Sequence, residues 1–455
     1  MELNLSVLAI ALPLILVFIV GLIIAIFSYK VYKNTSLIED KTQRLNGFSL
    51  KNNFPKILKK YPNDYMFFAQ VDQLDNISHL YGMHFYDDIV KQLSLALENY
   101  FETDRIYYLG NAKFIIIIDE KTKSAYSDKN FVSYLDNSMA IKYYQKVLRY
   151  RLSLTKLSPS KDYKEVLKEL YLAANIYQDE ALNQCVFYHE DLSNNQTKVH
   201  RIVETLITVA NQPTDNHLFL HYQPIIDVRK NKIQGFEVLS RLTIEEYGSI
   251  EPDKFITIAE RYGVIPHLGK RIIEKSFEDF KKILAIDDKQ FISINLSPLQ
   301  LKDSSFPSYL EALVKKYHYH PAQIHLEITE TAFAKNYNDF LATVKTLKEL
   351  GFKIYLDDFG VGYSSFQYMI DAAINGVKLD RYFTEKISKE VGYDMFSQGL
   401  AFMVKGLNGS ITIEGIEHKS QAEYFRRLGA DYFQGYLFSK PKPLDEALKM
   451  LKKMS

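Results

Sequence analysis

Two adjacent carboxylates, Asp357 and Asp358, end the short apolar segment 353–356, and Gly360 follows closely. Successive side chains of a strand point to opposite faces, so both acids can converge on one ligand only where the strand gives way to a loop. A strand end that offers two acids in this way suggests a divalent-cation site. Taken alone, such a pair is more often a turn or a helix cap, and the rest of the C-terminal half decides between these interpretations.

From about residue 218 onward, short apolar segments alternate with helical stretches, and nearly every one ends in a polar or acidic residue. This alternation predicts an α/β fold with a C-terminal TIM-like (β/α)8 barrel over residues 215–455. The predicted strands are Leu220–Ile225, Gly235–Arg241, Phe291–Leu296, Ile324–Ile328, Lys353–Asp357, Gly376–Leu379, Ser410–Gly415 and Phe433–Phe438.

Barrel active sites lie at the C-terminal ends of the strands, so the side chains there should converge. The polar residues at the predicted strand ends are Gln223, Glu237, Arg241, Asn295, Glu327, Glu330, Asp357, Asp358, Lys378, Asp380, Glu414, Glu417 and Gln434. Oxygen ligands without paired Cys or His favour Mg²⁺ or Mn²⁺ over zinc. We therefore expect metal-assisted hydrolysis, in which two cations activate a water and stabilise charge on a phosphoryl oxygen.

A series of motifs in the same half resembles a known family. The motifs are Tyr222–Ile225, Glu237–Arg241, Asn295–Pro298, Leu326–Glu330, Asp357–Ser365, Val377–Arg381, Glu414–Glu417 and Gln434–Tyr436. In this order they resemble the EAL-domain cyclic di-GMP phosphodiesterases over about residues 215–445. The resemblance implies hydrolysis of one phosphodiester of cyclic di-GMP to linear pGpG with two divalent cations, Mg²⁺ or Mn²⁺.

The resemblance also implies a role for each residue. The ligands of one cation would be Glu237, Asn295, Glu327 and Asp357. Asp357 would bridge to a second cation that Asp358 and Glu414 help to hold. Lys378 would orient the attacking water and Glu414 would act as the general base, so that Glu237, Lys378 and Glu414 form the catalytic set.

Further positions would bind the substrate or brace a loop. The substrate-binding residues would be Gln223, Arg241, Asp380 and Gln434. Arg241 suits phosphate because a guanidinium can bind it bidentately. Glu330 and Glu417 would brace the loop after Asp358, and in this family that loop often serves a homodimer interface through the barrel domain.

Departures from the family pattern are mild in this half. The signature Glu-Ala-Leu reads Glu237-Val238-Leu239, and Val361 replaces the usual Thr of the loop. Individually, each site residue also has a structural interpretation; Asn295, for example, could cap the segment that begins at Ser297. Jointly, at successive strand ends, they favour an enzyme, and the alternative is a non-catalytic cyclic di-GMP receptor or scaffold that acts through protein partners.

The region 55–195 predicts a second, α+β domain, which a connector helix over 196–214 joins to the barrel. In the order of its segments it resembles a GGDEF domain with eroded motifs. The signature turn Gly110–Phe114 carries Ala112 and Lys113 in place of the two acids, Ser78 and His79 replace the guanine-recognising residues, and Phe101 replaces an inhibitory-site Arg. Asp72 stands where the family places a metal-binding acid, and Asp104 remains as the partner of the replaced inhibitory-site Arg. One carboxylate cannot hold two cations around GTP, so we expect no cyclase activity, and either a regulatory, dimerising or nucleotide-sensing domain or a structural spacer.

The segment Val7–Phe27 is almost uninterrupted in its apolar character and is long enough to span a membrane. Residues 1–30 therefore predict a single-pass anchor in the cell membrane, and 31–54 a polar linker. Lys30 and Lys33 follow the apolar segment, which by the positive-inside rule places the soluble domains in the cytoplasm.

Charge and cysteine content argue against nucleic-acid binding and against a disulfide-bonded fold. Lys and Arg total 56 against 55 for Asp and Glu, so no bulk charge attracts a nucleic acid and we expect no DNA or RNA partner. The single cysteine, Cys185, rules out an intramolecular disulfide and suits a reducing compartment.

Overall fold

The structure is a computed structural model, and it describes part of the chain: residues 22, 37–39, 42–72, 74, 82–126, 128–138, 148–175, 183–212, 216–335, 337–359, 370–372, 374–386 and 391–454. The chain divides into two compact units, Met1–Thr197 and Lys198–Ser455. Among the described residues, no helix is both long enough and apolar enough to cross a membrane. The predicted anchor Val7–Phe27 lies outside the described residues except for Leu22.

The first unit contains a mixed sheet between helices. Its elements are β1 (Leu45–Asn46), α1 (Gly47–Lys60), β2 (Tyr65–Val71), α2 (Met83–Phe101), β3 (Ile106–Tyr108), β4 (Lys113–Ile118), α3 (Glu120–Ala125), α4 (Asp128–Ser138), β5 (Tyr150–Lys156), α5 (Tyr163–Asn175) and β6 (Cys185–Phe187). The strand order is β1-β3-β4-β2-β5-β6. Phe67 and Phe68, neighbours on β2, are buried in two different apolar clusters. Both faces of the sheet are thus covered, which explains why its central strands are continuous apolar runs.

The first unit begins earlier than the predicted boundary at residue 55. The helix α1 starts at Gly47, and the side chain of Asn46 caps it by accepting a hydrogen bond from Ser49 N at 3.0 Å. Leu50, Phe54 and Ile57 are buried at helical spacing. The second half of the predicted linker 31–54 is therefore part of the folded unit, because Leu50 and Phe54 lie on the buried face of this helix while Phe48 is exposed.

The helix α6 (Glu190–Asn211) contains the boundary between the two units and includes most of the predicted connector. The second unit continues with β7 (Leu218–Asp227), β8 (Lys232–Ile244), β9 (Gly248–Ile250), α7 (Pro252–Arg261), α8 (Ile265–Leu284), β10 (Phe291–Asn295), α9 (Pro298–Leu301), α10 (Phe306–Tyr317), a 3-10 turn (Pro321–Gln323), β11 (Ile324–Thr329), α11 (Glu330–Lys335), α12 (Tyr337–Glu349), β12 (Lys353–Phe359), β13 (Gly376–Leu379), α13 (Arg381–Lys386), α14 (Val391–Gly406), β14 (Ser410–Ile413), α15 (Lys419–Arg427), β15 (Tyr432–Phe433), β16 (Lys442–Pro443) and α16 (Leu444–Met454).

The strands of the second unit close into a barrel in the order β7-β15-β14-β13-β12-β11-β10-β8, with β8 pairing back to β7. The strands from β8 to β15 in this ring are parallel, and helices pack outside them. This arrangement agrees with the predicted α/β barrel. The last strand is shorter than predicted: β15 ends at Phe433, before Gln434.

One strand departs from the all-parallel barrel that the alternation predicts. β7 runs antiparallel to both of its neighbours, β8 and β15. Only residues 228–231 separate β7 from β8, and a parallel crossover needs about a dozen residues or more. Asp227 Oδ1 accepts hydrogen bonds from Arg229 N and Lys230 N, which closes the hairpin. The first pair of the barrel is therefore a β-hairpin.

Candidate active site

A buried lysine stands at the centre of the polar residues in the barrel. Lys378, on β13, has a side chain that is 2% exposed. Its Nζ lies 2.6 Å from Glu414 Oε1, 2.9 Å from Glu327 Oε2, 3.3 Å from Glu237 Oε2 and 3.4 Å from Asp357 Oδ1. These acids come from β8, β11, β12 and the position after β14. The structure therefore brings together one ammonium and four carboxylates.

The strand registers explain why these side chains meet. In the parallel ladder, Glu237 lies beside Ser293, and Asn295 lies beside Glu327. Residues two apart on a strand share a face, so Ser293 and Asn295 both point with the acids. Between Leu356 and Phe359 the register of β12 shifts, and Asp358 has a left-handed backbone with φ of 54°. A bulge of this kind re-aims a side chain at the rim of a barrel.

Glu237 is held by several donors besides Lys378. Asn295 Nδ2 donates to its Oε1 at 2.8 Å, and Gln434 Nε2 donates to its Oε2 at 2.6 Å. Gln434 Nε2 also lies 2.9 Å from Gln223 Oε1, which accepts from it. The amides of Gln223, Asn295 and Gln434 thus form one hydrogen-bonded group with Glu237.

Four carboxylates surround a single ammonium, and burial together with the neighbouring charges shifts the pKa of these groups. Burial raises the pKa of Glu414 to about 8, with Asp357 and Glu237 adding to the effect and Lys378 opposing it. Burial likewise raises the pKa of Glu327 well above its ordinary value. For Glu237, burial is outweighed by Lys378, Gln434 and Asn295, so that its pKa is lowered. The pKa of Lys378 is raised because the surrounding acids outweigh its burial.

This excess of negative charge and the types of donor suit a hard divalent cation. The donor set consists of carboxylates and one amide, and Asp357 Oδ1 is buried without a hydrogen bond from any described residue. Within the described ranges, no three acids, histidines or cysteines already stand in the arrangement of a formed metal site. The carboxylates point at the Lys378 ammonium instead. The residues fit a cation in charge and chemistry, and their assignment as ligands stays a prediction.

The remaining predicted residues lie around this centre and form hydrogen bonds or ion pairs with nearby residues. Arg241 Nη1 donates to Ser240 O at 2.8 Å, and Asp380 accepts from Tyr382 N at 2.7 Å as α13 begins. Glu417 Oε1 lies 3.2 Å from Arg381 Nη2.

Two predicted roles concern the loop that follows Asp358. Glu330 is buried where α11 begins, and Glu417 pairs with Arg381. The loop at 360–369 lies outside the described residues, so the bracing roles of Glu330 and Glu417 and the effect of Val361 stay predictions.

Two clefts meet at the carboxylates. The larger has a volume of about 690 Å³, and the smaller has about 270 Å³. Glu237, Leu239 and Asp357 line both. Other residues of the larger cleft include Arg241, Asp253, Glu260, Asn295 and Asp358, and those of the smaller cleft include Gln223, Arg381, Glu414, Gln434 and Tyr436. The site is therefore an open groove with two lobes and an acidic centre.

Two further residues, which the sequence pattern did not single out, lie at the site. Ser293 Oγ donates to Glu327 Oε1 at 2.5 Å, and Glu260 lines the larger cleft. The period of two along β10 links Ser293 to Asn295 and would have identified it. Glu260 lies on a helix, so strand ends carry no signal for it.

Comparison with known proteins places this site in a family. The EAL domain family model matches residues 208–441, just over half of the chain. The probable cyclic di-GMP phosphodiesterase PdeB of Escherichia coli (strain K12) is 35% identical over 230 residues, which are 50% of this chain and 44% of PdeB. The chain spans about half the length of the curated relatives it matches.

Solved structures share the fold. The PaMucR phosphodiesterase in complex with c-di-GMP matches with a TM-score of 0.51 and 26% identity, over 54% of this chain and 99% of that one. The S helix-GGDEF-EAL structure of Vibrio cholerae LapD, bound to c-di-GMP, matches with a TM-score of 0.55 over 91% of this chain and 98% of that one. Its identity is 15%, so this likeness concerns the fold alone. On the match of the family model, the chain belongs to the EAL domain family.

Proposed function

We propose that this protein is a cyclic di-GMP phosphodiesterase that hydrolyses one phosphodiester of the ring to give linear pGpG. The observation that carries this proposal is the group of four carboxylates around Lys378, at the point where the two clefts meet. Membership of the EAL domain family supports it, as do relatives named cyclic di-GMP phosphodiesterases.

The two-lobed groove suits a cyclic dinucleotide. Such a ligand has two nucleoside halves and two phosphates, and each cleft would take one half. The phosphate to be cleaved would then lie at the junction, above Glu237 and Asp357. Gln223, Gln434 and the half-buried Arg241 supply amide and guanidinium donors around that position.

Two Mg²⁺ or Mn²⁺ ions would be held by the acids and Asn295 in the roles predicted from the sequence. When bound, such cations lower the pKa of a water molecule and offset the charge that develops on the phosphoryl oxygens. Glu414 would accept the proton of the attacking water, whose oxygen Lys378 orients. Because pGpG keeps a 5′ phosphate, the bond that breaks joins phosphorus to the 3′ oxygen, and this oxygen leaves with a proton from solvent.

The direct test is to incubate the protein with cyclic di-GMP in the presence of Mg²⁺ or Mn²⁺, with and without a chelator, and to separate the nucleotides by chromatography. We expect pGpG to form with the metal and not with the chelator. Binding of intact cyclic di-GMP without any pGpG would contradict the enzymatic proposal and favour a receptor or scaffold.

Replacing Ser293 by alanine should weaken this activity. The hydroxyl of Ser293 donates to Glu327 Oε1 at 2.5 Å, and alanine removes this contact. Partners of metal ligands typically contribute about 10–100-fold to metal affinity or activity, so we expect roughly a tenfold loss of the metal-dependent rate. Ser276→Ala is the matched control, because Ser276 is also buried but its hydroxyl donates to Ile272 O of its own helix. Equal losses in the two variants would argue against a role for Ser293 in holding Glu327.

We also propose that the first unit is a GGDEF-like domain without cyclase activity. Asp72, which stands at the metal-binding position that the resemblance implies, has its Oδ1 2.6 Å from the Nε of Arg151, so an arginine already pairs with it. Ala112 lies in the turn between β3 and β4, and Lys113 is the first residue of β4, whose N donates to Gly110 O. These contacts support a domain without cyclase activity. Such a domain would regulate the barrel, form dimers, sense a nucleotide or act as a structural spacer.

The protein should therefore make no cyclic di-GMP from GTP and Mg²⁺, and Lys113→Glu should restore none. The variant returns one acid, but Ala112 still offers no ligand. The measurement is chromatography of the products of GTP incubation in the presence of excess metal. Any cyclic di-GMP, or pGpG derived from it, formed from GTP by the unaltered chain would contradict the proposal.

We propose further that Val7–Phe27 anchors the protein in the cell membrane with both units in the cytoplasm. The apolar length of this segment and the lysines that follow it support this location. Fractionation of cells, followed by alkaline washing of the membranes, tests it; release of the protein by the wash would contradict the anchor.

A homodimer through the barrel unit is the remaining proposal on assembly. Met395 and Phe402, both on α14, are 79% and 81% exposed, which is unusual for large apolar side chains. The mass of the protein in detergent, measured by light scattering, should correspond to two chains; a mass of one chain would contradict the dimer.

A further inference from the structure

The turn that follows Asn295 is tied to a neighbouring helix by one side-chain contact. β10 ends at Asn295, and Ser297 is the N-cap of α9. The hydroxyl of Ser297 donates to Glu260 Oε1 at 2.6 Å, and Ser297 is 7% exposed. Glu260 lies on α7, outside the ring of strands. This hydrogen bond therefore joins the turn to a separate element of the barrel unit.

The other hydrogen bonds of the turn are made with the neighbouring strand β11 and within its own helix cap. Leu296 N donates to Glu327 O at 2.8 Å, in continuation of the β10–β11 ladder. Ser297 N donates to Gln300 Oε1 at 3.1 Å and Leu299 N donates to Ser297 Oγ at 3.3 Å, which are local contacts of the helix cap. The contact with Glu260 thus fixes the far side of the turn, while the strand ladder fixes the near side.

The helix that carries Glu260 is itself held firmly. Phe255, Ile258 and Ala259 of α7 are buried in one apolar cluster with Leu206 and Val209 of α6. The opposite face of α7 lines the larger cleft through Asp253, Ile256, Thr257 and Glu260. A side chain on a packed helix positions its partner more accurately than one on a loop. α7 is therefore a rigid support for a contact at the site.

We propose that Glu260 is a positioning residue: by holding Ser297, it directs the side chain of Asn295 toward Glu237 and the cation that both would bind. Asn295 Nδ2 lies 2.8 Å from Glu237 Oε1, so a shift of the turn would break this contact. The inference rests on the proposed function, because the role of Asn295 as a metal ligand is part of it.

Two variants at position 260 separate positioning from charge. Glu260→Ala removes both the carboxylate charge and the acceptor for Ser297. Glu260→Gln removes the charge and keeps an oxygen that can accept the same hydrogen bond. If Glu260 acts by positioning, the glutamine variant should bind Mn²⁺ and hydrolyse cyclic di-GMP nearly as well as the unaltered protein. If it acted only by its negative charge in the cleft, both variants would be impaired equally.

The experiment measures Mn²⁺ binding by titration calorimetry without substrate, and kcat and KM for cyclic di-GMP, on the full chain. We expect Glu260→Ala to weaken Mn²⁺ binding roughly tenfold and to lower kcat to a similar extent, with a smaller change in KM. Ser297→Ala should have at least as large an effect, because it removes the contact with Glu260 and also the cap bond from Leu299 N. The double variant should be no more impaired than Ser297→Ala alone, because Glu260→Ala removes no further contact of Ser297. Glu251→Ala is the control, since this exposed acid precedes α7 and makes no side-chain cap bond.

Three results would overturn the inference while leaving the proposed function intact. These are unchanged Mn²⁺ binding in Glu260→Ala, equal impairment of the alanine and glutamine variants, and additive losses in the double variant. An unaltered protein that neither binds Mn²⁺ nor cleaves cyclic di-GMP would overturn the proposed function and this inference together.

Discussion

Replacing Lys378 by methionine should abolish the hydrolysis of cyclic di-GMP and destabilise the barrel unit. Lys378 is the one cation within reach of the four central carboxylates among the described residues, and its side chain is buried. Removing one partner of a buried ion pair typically costs about 3–5 kcal/mol, because the remaining charge is left uncompensated. We expect a loss of this order in the free energy of unfolding, measured by urea denaturation in the presence of a chelator.

The size of this loss should depend on pH. Burial already raises the pKa of Glu414 to about 8 with Lys378 in place. Without the ammonium, the pKa values of the central acids rise further, so the folded variant binds more protons than the unfolded chain. Its stability should therefore fall as the pH rises, and the difference from the unaltered protein should be larger at pH 8 than at pH 5.

Lys282→Met is the control for this experiment. Lys282 is exposed and pairs with Asp279 at 3.2 Å, and surface pairs contribute about 0–1 kcal/mol. A Lys378→Met variant as stable as this control at pH 8 would contradict the electrostatic account of the site.

Replacing Glu237 by alanine should lower the rate of hydrolysis by more than about 100-fold. Changes to the outer partners of metal ligands cost about 10–100-fold, and Glu237 is proposed as a ligand itself. Its carboxylate also accepts from Asn295, Gln434 and Lys378, so its loss removes a hub of the hydrogen-bonded group. Initial rates of pGpG formation at saturating Mn²⁺ measure the effect.

Two controls accompany this variant. Far-UV circular dichroism shows whether the fold is kept. Glu311→Gln alters a glutamate that pairs with Lys315 on the surface of α10 and should retain full activity. If Glu237→Ala folds normally and turns over at the normal rate, the assignment of the site is wrong.

The centre of the site could be predicted because it depends on a simple property of parallel strands. Their C-terminal ends meet at one edge, so Glu237, Glu327, Lys378 and Glu414 were expected to converge although they are far apart in the sequence. The structure places the three glutamates within hydrogen-bonding or ion-pair distance of Lys378 Nζ. Asp357 joins them at 3.4 Å.

The parts that were not predicted depend on contacts that strand periodicity does not encode. β7 is antiparallel because its connection to β8 is short. The alternation of apolar segments does not take the length of this connection into account. Glu260 reaches the site from a helix whose apolar face gives no indication of what the polar face binds. The substrate-binding role of Asp380 stays a prediction, and its carboxylate accepts from Tyr382 N, a local contact typical of an acid at the start of a helix.

A single-turnover experiment tests the central proposal most directly. The protein, in molar excess over labelled cyclic di-GMP, is mixed with Mn²⁺, stopped with acid at successive times, and the nucleotides are separated. We expect the label to pass from the ring to pGpG at a rate that vanishes when a chelator replaces the metal. If the label stays in intact cyclic di-GMP while the protein holds it, the barrel binds the ring without cleaving it, and the phosphodiesterase account is contradicted.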